Sequence, residues 1–415
     1  MRWCAPAAAG ANPMITLAQE INPYTKIQPE CRYFGTCGGC TLQDLSYPDQ
    51  VRLKTERLRQ LFAGIEGMEA ISIRPADGPW RYRNKAEFTF GVSAGHMTLG
   101  FHAAGSFQRV VDLEDCLLLP ESAMAMLRKL RDLAEATGLA VYHPKTHQGF
   151  FRYAVVRASH ANERLLLCLV TASGPQEAGP QVEAIARQLV ECHPLLVSVY
   201  WGKADQLADI ALPEQLPCLI GDEYIEDQIG PFHIQLKPLS FTQTHSLQAH
   251  LLYEAVCSSM GEGTHEQTAW DLYCGVGLIS LYLSRSFHTV YGIDSEPHHL
   301  HLAAENAKRN GLNNIRWITG KAEEVLKDRR FWLREAKPDV VVVDPPRTGL
   351  HIAAISAILA ARPRRIAYVS CNPESLLRDL QIFKSSFPSY SVAHAEAFDM
   401  FPQTAHVETL AILSR

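Results

Sequence analysis

From about residue 240 onward, runs of four to six apolar residues alternate with stretches of helical spacing, and this rhythm limits the fold more than any other feature of the chain. Thr268–Tyr273 leads to a helical stretch at 278–285, and Thr289–Ile293 to another at 297–310. Val340–Val343 and Ile366–Val369 follow, each with a helical stretch after it. Each helix must carry the chain back to where the next strand begins, so the pattern predicts an open, doubly wound parallel sheet. Two final strand-like runs, about 391–398 and 406–413, predict an antiparallel hairpin at the sheet edge.

The preceding part reads differently. Between 80 and about 235, Ala86–Val92, Met97–His102, Phe150–Ala158 and Arg164–Thr171 are rich in β-branched and aromatic residues, and helical stretches near 121–137 and 180–192 interrupt them. That is the pattern of a mixed α+β domain. Residues 50–63 have helical spacing, and 31–48, rich in Gly, Cys and Tyr, predict a loop folded around something. The expected organisation is a disordered extension over 1–30 (with Met14 an alternative start), a cysteine-bearing loop and helix over 31–79, an α+β domain over 80–238 and the doubly wound domain over 239–415. A chain of 415 residues exceeds one ordinary core, which agrees with two or three domains.

Composition excludes several classes. No apolar run reaches the ~18 residues a membrane span needs. Eleven cysteines without a secretion signal argue against a disulfide framework and for a reducing, cytoplasmic setting. The net charge of −5 gives no general attraction for nucleic acid, so any RNA contact requires a local basic surface. One candidate is Val51–Lys85, where Arg52, Lys54, Arg57, Arg59, Arg74, Arg81, Arg83 and Lys85 face four acids; the alternative is a solvated helix face. No obligate protein partner is evident.

Ligands of open parallel sheets lie beyond the carboxyl ends of the strands. Asp271-Leu272-Tyr273-Cys274-Gly275-Val276-Gly277 occupies that place after the first strand, and its glycines let backbone approach a ligand. Ser280 stands where a dinucleotide fingerprint has its third glycine, so a pyrophosphate loop is disfavoured. The second strand ends in Asp294, whose carboxylate can accept bonds from both ribose hydroxyls. Asp-x-x-x-Gly-x-Gly followed by this acid resembles the S-adenosylmethionine site of class I methyltransferases, although a lone Gly-x-Gly can also be a structural turn.

Asp344-Pro345-Pro346-Arg347 follows a later strand, and its two prolines stiffen a loop that can hold a carboxylate and carbonyls against a planar base. Arg347 stands where amino-group methyltransferases often carry an aromatic ring. Cys371, in Ser370-Cys371-Asn372-Pro373, ends the next strand where a helix begins. A helix N-terminus is expected to lower its thiol pKa and expose the sulfur, against the alternative of a buried core cysteine.

Asp344–Gly349, Tyr368–Asn372 and Phe398–Glu408, in that order, closely resemble the RNA uracil-5-methyltransferase family. The likeness runs from Cys31 to Glu408. Ser375 replaces the family's Thr and keeps the hydroxyl. The resemblance implies a class I, Rossmann-like methyltransferase domain in an α/β protein, Cys371 as a nucleophile on C6 of uracil, Glu408 as the acceptor of the C5 proton, and Gln243, Tyr273, Asp294 and Asp344 as methyl-donor contacts. Leu278 stands where several relatives have Asn and cannot make that polar contact. Trp80–Lys85 resembles a segment implicated in RNA contact.

Cys31-x5-Cys37-Gly38-Gly39-Cys40 is the second signal. Three thiols need a fourth partner, for which Cys116 is the distant candidate, and with only one close group the spacing favours an iron–sulfur cluster over zinc. The resemblance implies a 4Fe-4S cluster on Cys31, Cys37, Cys40 and Cys116, a role in structure and not in electron transfer, and 23S rRNA as substrate. Only 30 residues precede Cys31, too few for the β-barrel found in many relatives. Uracil 747 is therefore expected as the target, with uracil 1939 as the alternative. Two other classes remain: an amino-group methyltransferase without covalent catalysis, and an RNA-binding or iron–sulfur assembly protein with a vestigial site.

Overall fold

Helix α1 (Tyr47–Leu61) is amphipathic, and Leu58 on its inner side is buried with Phe62, Met68, Ile71 and Ile73 just beyond it. These residues join one core cluster with Trp270, Val341, Tyr368 and Leu413. Burying a side chain such as Phe62 contributes roughly 1.5–3 kcal/mol, so this early segment is committed to the late part of the chain. It ends in a two-residue strand, β1 (Ile73–Arg74). A computed structural model of the chain describes residues 24–206, 211–261, 267–327 and 336–415. The expected extension over 1–30 lies outside the described residues as far as residue 23.

The chain divides into two compact units, and not at the expected places. One contains residues up to Gln50, Arg83–Ser159 and Glu163–Ile225; the other contains Val51–Tyr82, His160–Asn162 and Glu226–Arg415. The expected piece 31–79 is therefore cut at residue 50, because the apolar face of α1 needs the core just described.

In the first unit, β2 (Lys85–Ser93), β3 (His96–His102), β4 (Val110–Asp112), β5 (Phe151–Ala158), β6 (Leu165–Thr171), β7 (Leu196–Lys203) and β8 (Cys218–Gly221) form a sheet of order β4-β3-β2-β5-β6-β7-β8. Helices α2 (Glu121–Ala136) and α3 (Ala178–Cys192) bury apolar stripes in the same unit. The pairs are antiparallel except β6 with β7, which α3 connects in parallel. β5 and β6 are buried along their whole length; β6 is apolar up to Thr171, whereas β5 also buries Arg152 and Arg157.

The second unit begins with the hairpin β9 (Ile225–Ile229) and β10 (Phe232–Leu236), followed by α4 (Ser246–Met260). Then come β11 (Thr268–Leu272), α5 (Leu278–Leu283), β12 (Thr289–Asp294), α6 (Pro297–Arg309), β13 (Ile315–Thr319), α7 (Ala322–Val325), β14 (Val340–Val343), α8 (Ile352–Ala361), β15 (Arg365–Ser370), α9 (Pro373–Ser386), β16 (Ser391–Phe398) and β17 (Glu408–Ser414). Among the described residues the strand order is β1-β16-β17-β15-β14-β11-β12-β13. The strands from β11 to β15 pair in parallel, as the alternation predicts, and β17 inserts antiparallel between β15 and β16. The expected edge hairpin is not at the edge. β1 covers β16 in parallel register, Ile73 opposite Ala397 and Arg74 opposite Phe398.

Val51–Lys85 is not a continuous basic surface. Lys54 is 1% exposed and paired with Asp399, Lys85 is buried beside Glu87, and Arg74 is engaged by Glu396. Tyr82, expected in an RNA-contacting segment, is 5% exposed and its ring stacks on His245. Among the described residues no helix is long and apolar enough to cross a membrane.

Candidate active site

The site begins where β11 ends. Asp271 is fully buried and accepts a hydrogen bond from Ser280 Oγ at 2.6 Å, which ties the strand end to α5. Tyr273, Gly275 and Gly277 all have positive φ, so the chain turns sharply between them. Gly277 has no room for a side chain: a Cβ there would stand 2.6 Å from the Trp317 ring and 2.9 Å from Ala303. The Gly275 N–H donates to Asp294 Oδ2 at 2.9 Å, which joins the loop to the end of β12. Asp294 Oδ1 accepts from Glu296 N at 2.9 Å and lies 3.4 Å from His299 Nδ1. Burial acts to raise the Asp294 carboxyl, but these bonds outweigh it and hold the group below the usual carboxylate range. An ionised acceptor thus stands beside the glycine loop.

Gln243 is buried on the segment leading into α4, and α4 packs against β15 and β17. Leu278 is buried at the start of α5.

A second group of side chains collects on the adjacent strands β14, β15 and β17. Asp344 follows β14, Cys371 follows β15 and Glu408 opens β17. Asn372 links the first two loops: its Nδ2 donates to Arg347 O at 2.9 Å while its Oδ1 accepts from Glu374 N at the start of α9. The hydroxyls of Ser370 and Ser375 each donate to Asn372 O at 2.9 Å, so the hydroxyl kept at Ser375 has a visible use. Below them the buried Asp379 accepts from Leu350 N and Tyr368 Oη, fixing the far end of the proline loop.

Cys371, Glu408 and Asp344 act on one another electrostatically. Glu408 is 0% exposed and neither carboxyl oxygen has a hydrogen-bond partner. Burial, reinforced by Asp344, raises its pKa well above the ordinary range, and burial lifts Asp344 to about 7. Cys371 is partly exposed, not sealed in the core. Its thiol is not lowered as the helix N-terminus suggests. Burial, with the charges of Glu408 and Asp344, pushes it up to about 12. Arg347 opposes this rise by a side-chain hydrogen bond to Cys371 and by its charge, which also bears on Glu408. The sequence marked Arg347 only as the absence of an aromatic ring. Its place directly after a rigid Asp-Pro-Pro was the available signal.

In the other unit, Cys31, Cys37, Cys40 and Cys116 line one small cavity with Tyr33 and Phe101. The Gly39 N–H points at Cys37 Sγ, 3.4 Å away, and Cys31 N donates to Gln43 Oε1 at 3.1 Å. The Gly38 N–H donates to His102 O, anchoring the loop on β3. Burial pushes the Cys37 thiol up to about 11 and Cys40 up to about 12. Among the described residues, no three or more His, Cys, Asp or Glu side chains are arranged as a metal-holding group. The four thiols share a cavity without standing at ligand geometry. The described cysteines are free.

The sheet order, with the glycine loop and its ionised acid at the strand ends, is that of a methyltransferase of the class I fold. Residues 221–415 match the family described as tRNA (Uracil-5-)-methyltransferase. Over 398 residues the chain is 32% identical to an uncharacterized RNA methyltransferase of Halalkalibacterium halodurans, covering 95% of this chain and 84% of that one. One from Caldanaerobacter subterraneus subsp. tengcongensis is 35% identical over 399 residues, covering 95% and 86%. Among solved structures, the Pyrococcus abyssi tRNA (uracil-54, C5)-methyltransferase in complex with S-adenosyl-L-homocysteine superposes with a TM-score of 0.74 at 26% identity, covering 94% of this chain and 85% of that one. The chain belongs to the RNA uracil-5-methyltransferase family.

Proposed function

We propose that this enzyme methylates C5 of a uracil in RNA through a transient bond between Cys371 and C6, with S-adenosylmethionine as the methyl donor. The observation that carries the reading is the convergence of Cys371, Glu408, Asp344 and Arg347 at the sheet end where β14 and β15 finish and the antiparallel β17 begins, beside the glycine loop of the same sheet.

The chemistry needs those groups. C5 of uracil is a weak nucleophile. Attack of the Cys371 thiolate on C6 moves the C5–C6 π electrons toward C5 and O4, giving an enolate. C5 then takes the methyl group from the sulfonium, whose sulfur keeps the bonding pair. Glu408 removes the C5 proton, the C5–H electrons re-form the double bond, and the C6–sulfur bond breaks to return the thiolate. Arg347 favours the thiolate against the surrounding carboxyls. Gln243, Tyr273, Asp294 and Asp344 are assigned to the donor, with Asp294 accepting from the ribose hydroxyls.

The chemistry of four thiols around one cavity fits a 4Fe-4S cluster, with Cys31, Cys37, Cys40 and Cys116 as its holders. Bound there, the group would cross-link the loop. The residues themselves already anchor that loop through Gly38 and Gln43. Within the family we assign the chain to the 23S rRNA enzymes, with uracil 747 as the target ahead of uracil 1939, acting in the cytoplasm. The archaeal structure, named for uracil 54 of tRNA, favours a second reading in which tRNA is the substrate.

Cys371→Ala should abolish methylation and the covalent adduct with RNA containing 5-fluorouracil. An undiminished adduct refutes the nucleophile. Mapping 5-methyluridine in rRNA and tRNA from a strain lacking the chain decides between the substrates: loss at one 23S position supports the rRNA reading, and loss in tRNA alone overturns it.

A further inference from the structure

The residues matched to the family begin at 221, yet the turn that delivers Glu408 is gripped by side chains from far earlier in the chain. We propose that Lys54 and Tyr82 are positioning residues that hold the Asp399–Val407 turn, and through it Glu408, in the geometry that releases the product. This inference rests on Glu408 being the proton acceptor.

The turn leaves β16 at Phe398 and returns as β17 at Glu408, and these two residues are register partners. The turn therefore closes directly on the base. Its own backbone is poorly suited to stand alone. Gln403 sits at φ 70°, a conformation that costs a residue with a side chain on the order of 1–3 kcal/mol and persists only where the surroundings over-determine it. The surroundings here are specific. Lys54 Nζ donates to Asp399 Oδ1 at 2.6 Å and to Phe401 O at 3.2 Å. Thr404 Oγ1 donates to the same Phe401 carbonyl at 2.8 Å. The next carbonyl, Pro402 O, accepts from Tyr82 Oη at 3.0 Å. Two successive carbonyls of the turn are thus each held by a side chain from residues 51–82.

Net stability does not explain Lys54. Its side chain is 1% exposed and that of Asp399 0%, and the desolvation of such a pair consumes most of its attraction. What the pair does provide is a fixed location for Asp399 and Phe401. Tyr82 has a second attachment: its ring lies on His245, centroids 4.8 Å apart and planes 17° from parallel. His245 caps α4, two residues after Gln243, accepting from Gln248 N. One aromatic ring therefore bridges the segment assigned to the methyl donor and the turn that carries the base.

The test uses the full chain and an RNA that the parent enzyme methylates, with Lys54→Met, Tyr82→Phe, the charge-free pair Lys54→Met/Asp399→Asn, and Glu408→Gln in parallel. Covalent complex on unmodified uracil, rate of release of 5-methyluridine and thermal midpoint are read separately. Lys54→Met should enter the covalent complex at a near-parental rate and release product on the order of 10- to 100-fold more slowly, the size expected of a small misplacement of a reacting group. The double variant should recover the thermal midpoint without recovering release, since Phe401 O still lacks its cation. Tyr82→Phe should slow release in the same direction, by less. If release recovers together with the midpoint in the double variant, or is normal in Lys54→Met while Glu408→Gln is slow, this inference is overturned and the base assignment stands. If Glu408→Gln itself releases normally, both fall.

Discussion

Replacing Asp271 by asparagine should stabilise the ligand-free chain, and by more at alkaline than at acid pH. Asp271 is 0% exposed; one carboxyl oxygen accepts from Ser280 and the other has no partner. Burial, opposed by the Ser280 hydroxyl and reinforced by the charge of Asp344, raises this carboxyl from 3.8 to about 7. The folded chain therefore holds the proton more tightly than the unfolded chain does. Its stability is complete below the unfolded pKa and is lost as pH rises through the folded one. At about 1.4 kcal/mol per unit, roughly three units forfeit ~4 kcal/mol above pH 7 and about half of that near pH 5.5. Asparagine keeps an acceptor for Ser280 and cannot ionise. Urea unfolding followed by tryptophan fluorescence should give the variant an advantage of ~2 kcal/mol at pH 5.5 and ~4 kcal/mol at pH 8.5. An advantage equal at both pH values, or a loss at both, refutes the claim that Asp271 is held under electrostatic stress.

Glu408→Gln should still form the covalent complex and accept the methyl group, but release it about 100-fold or more slowly, visible as a methylated protein–RNA band on a denaturing gel. Normal turnover removes Glu408 from its role. Arg347→Met takes a cation from beside the Cys371 thiol, an effect of about one to three pKa units. Adduct formation with 5-fluorouracil RNA should therefore slow about 10-fold or more near neutral pH and move to higher pH, and an unshifted profile counts against the pairing. Protein purified without oxygen should be brown and hold about four irons per chain; stoichiometric zinc would reverse the choice of metal.

The parallel sheet was legible because its strands are short apolar runs that helices separate, and β11, β12, β14 and β15 lie within a few residues of where the spacing places them. The same reading cannot find β1, since two residues carry no period, and it gives no sign that the apolar side of α1 packs with the late part of the chain. Lys54 shows the limit most clearly. In sequence it is one more cation on the charged side of an amphipathic helix, and nothing local distinguishes it from Arg57, which is exposed. Only its partner Asp399, 345 residues away, makes it a core residue. Tyr82 is misread for the same reason: an aromatic ring among arginines suggests stacking on a base, whereas the ring is spent on His245. The motifs single out Cys371 and Glu408 in sequence, but not the level of the thiol.

That level follows from competing magnitudes. The start of a helix favours a nearby anion by about 0.3–1 kcal/mol, less than one pKa unit. Against it stand removal from water and two neighbouring carboxyls, and together they carry Cys371 from 9.0 to about 12 despite Arg347. The helix end loses because it is one weak dipole where burial and two acids act together. A thiol at that level is almost wholly protonated near neutral pH, and it is the thiolate that attacks. The groups that keep it so are the ones proposed for the reaction: burial raises Glu408, the proposed proton acceptor, and Asp344, the proposed donor contact. Against burial and the two carboxyls, Arg347 works in the opposite direction on the proposed nucleophile, by its charge and by a side-chain hydrogen bond to the sulfur.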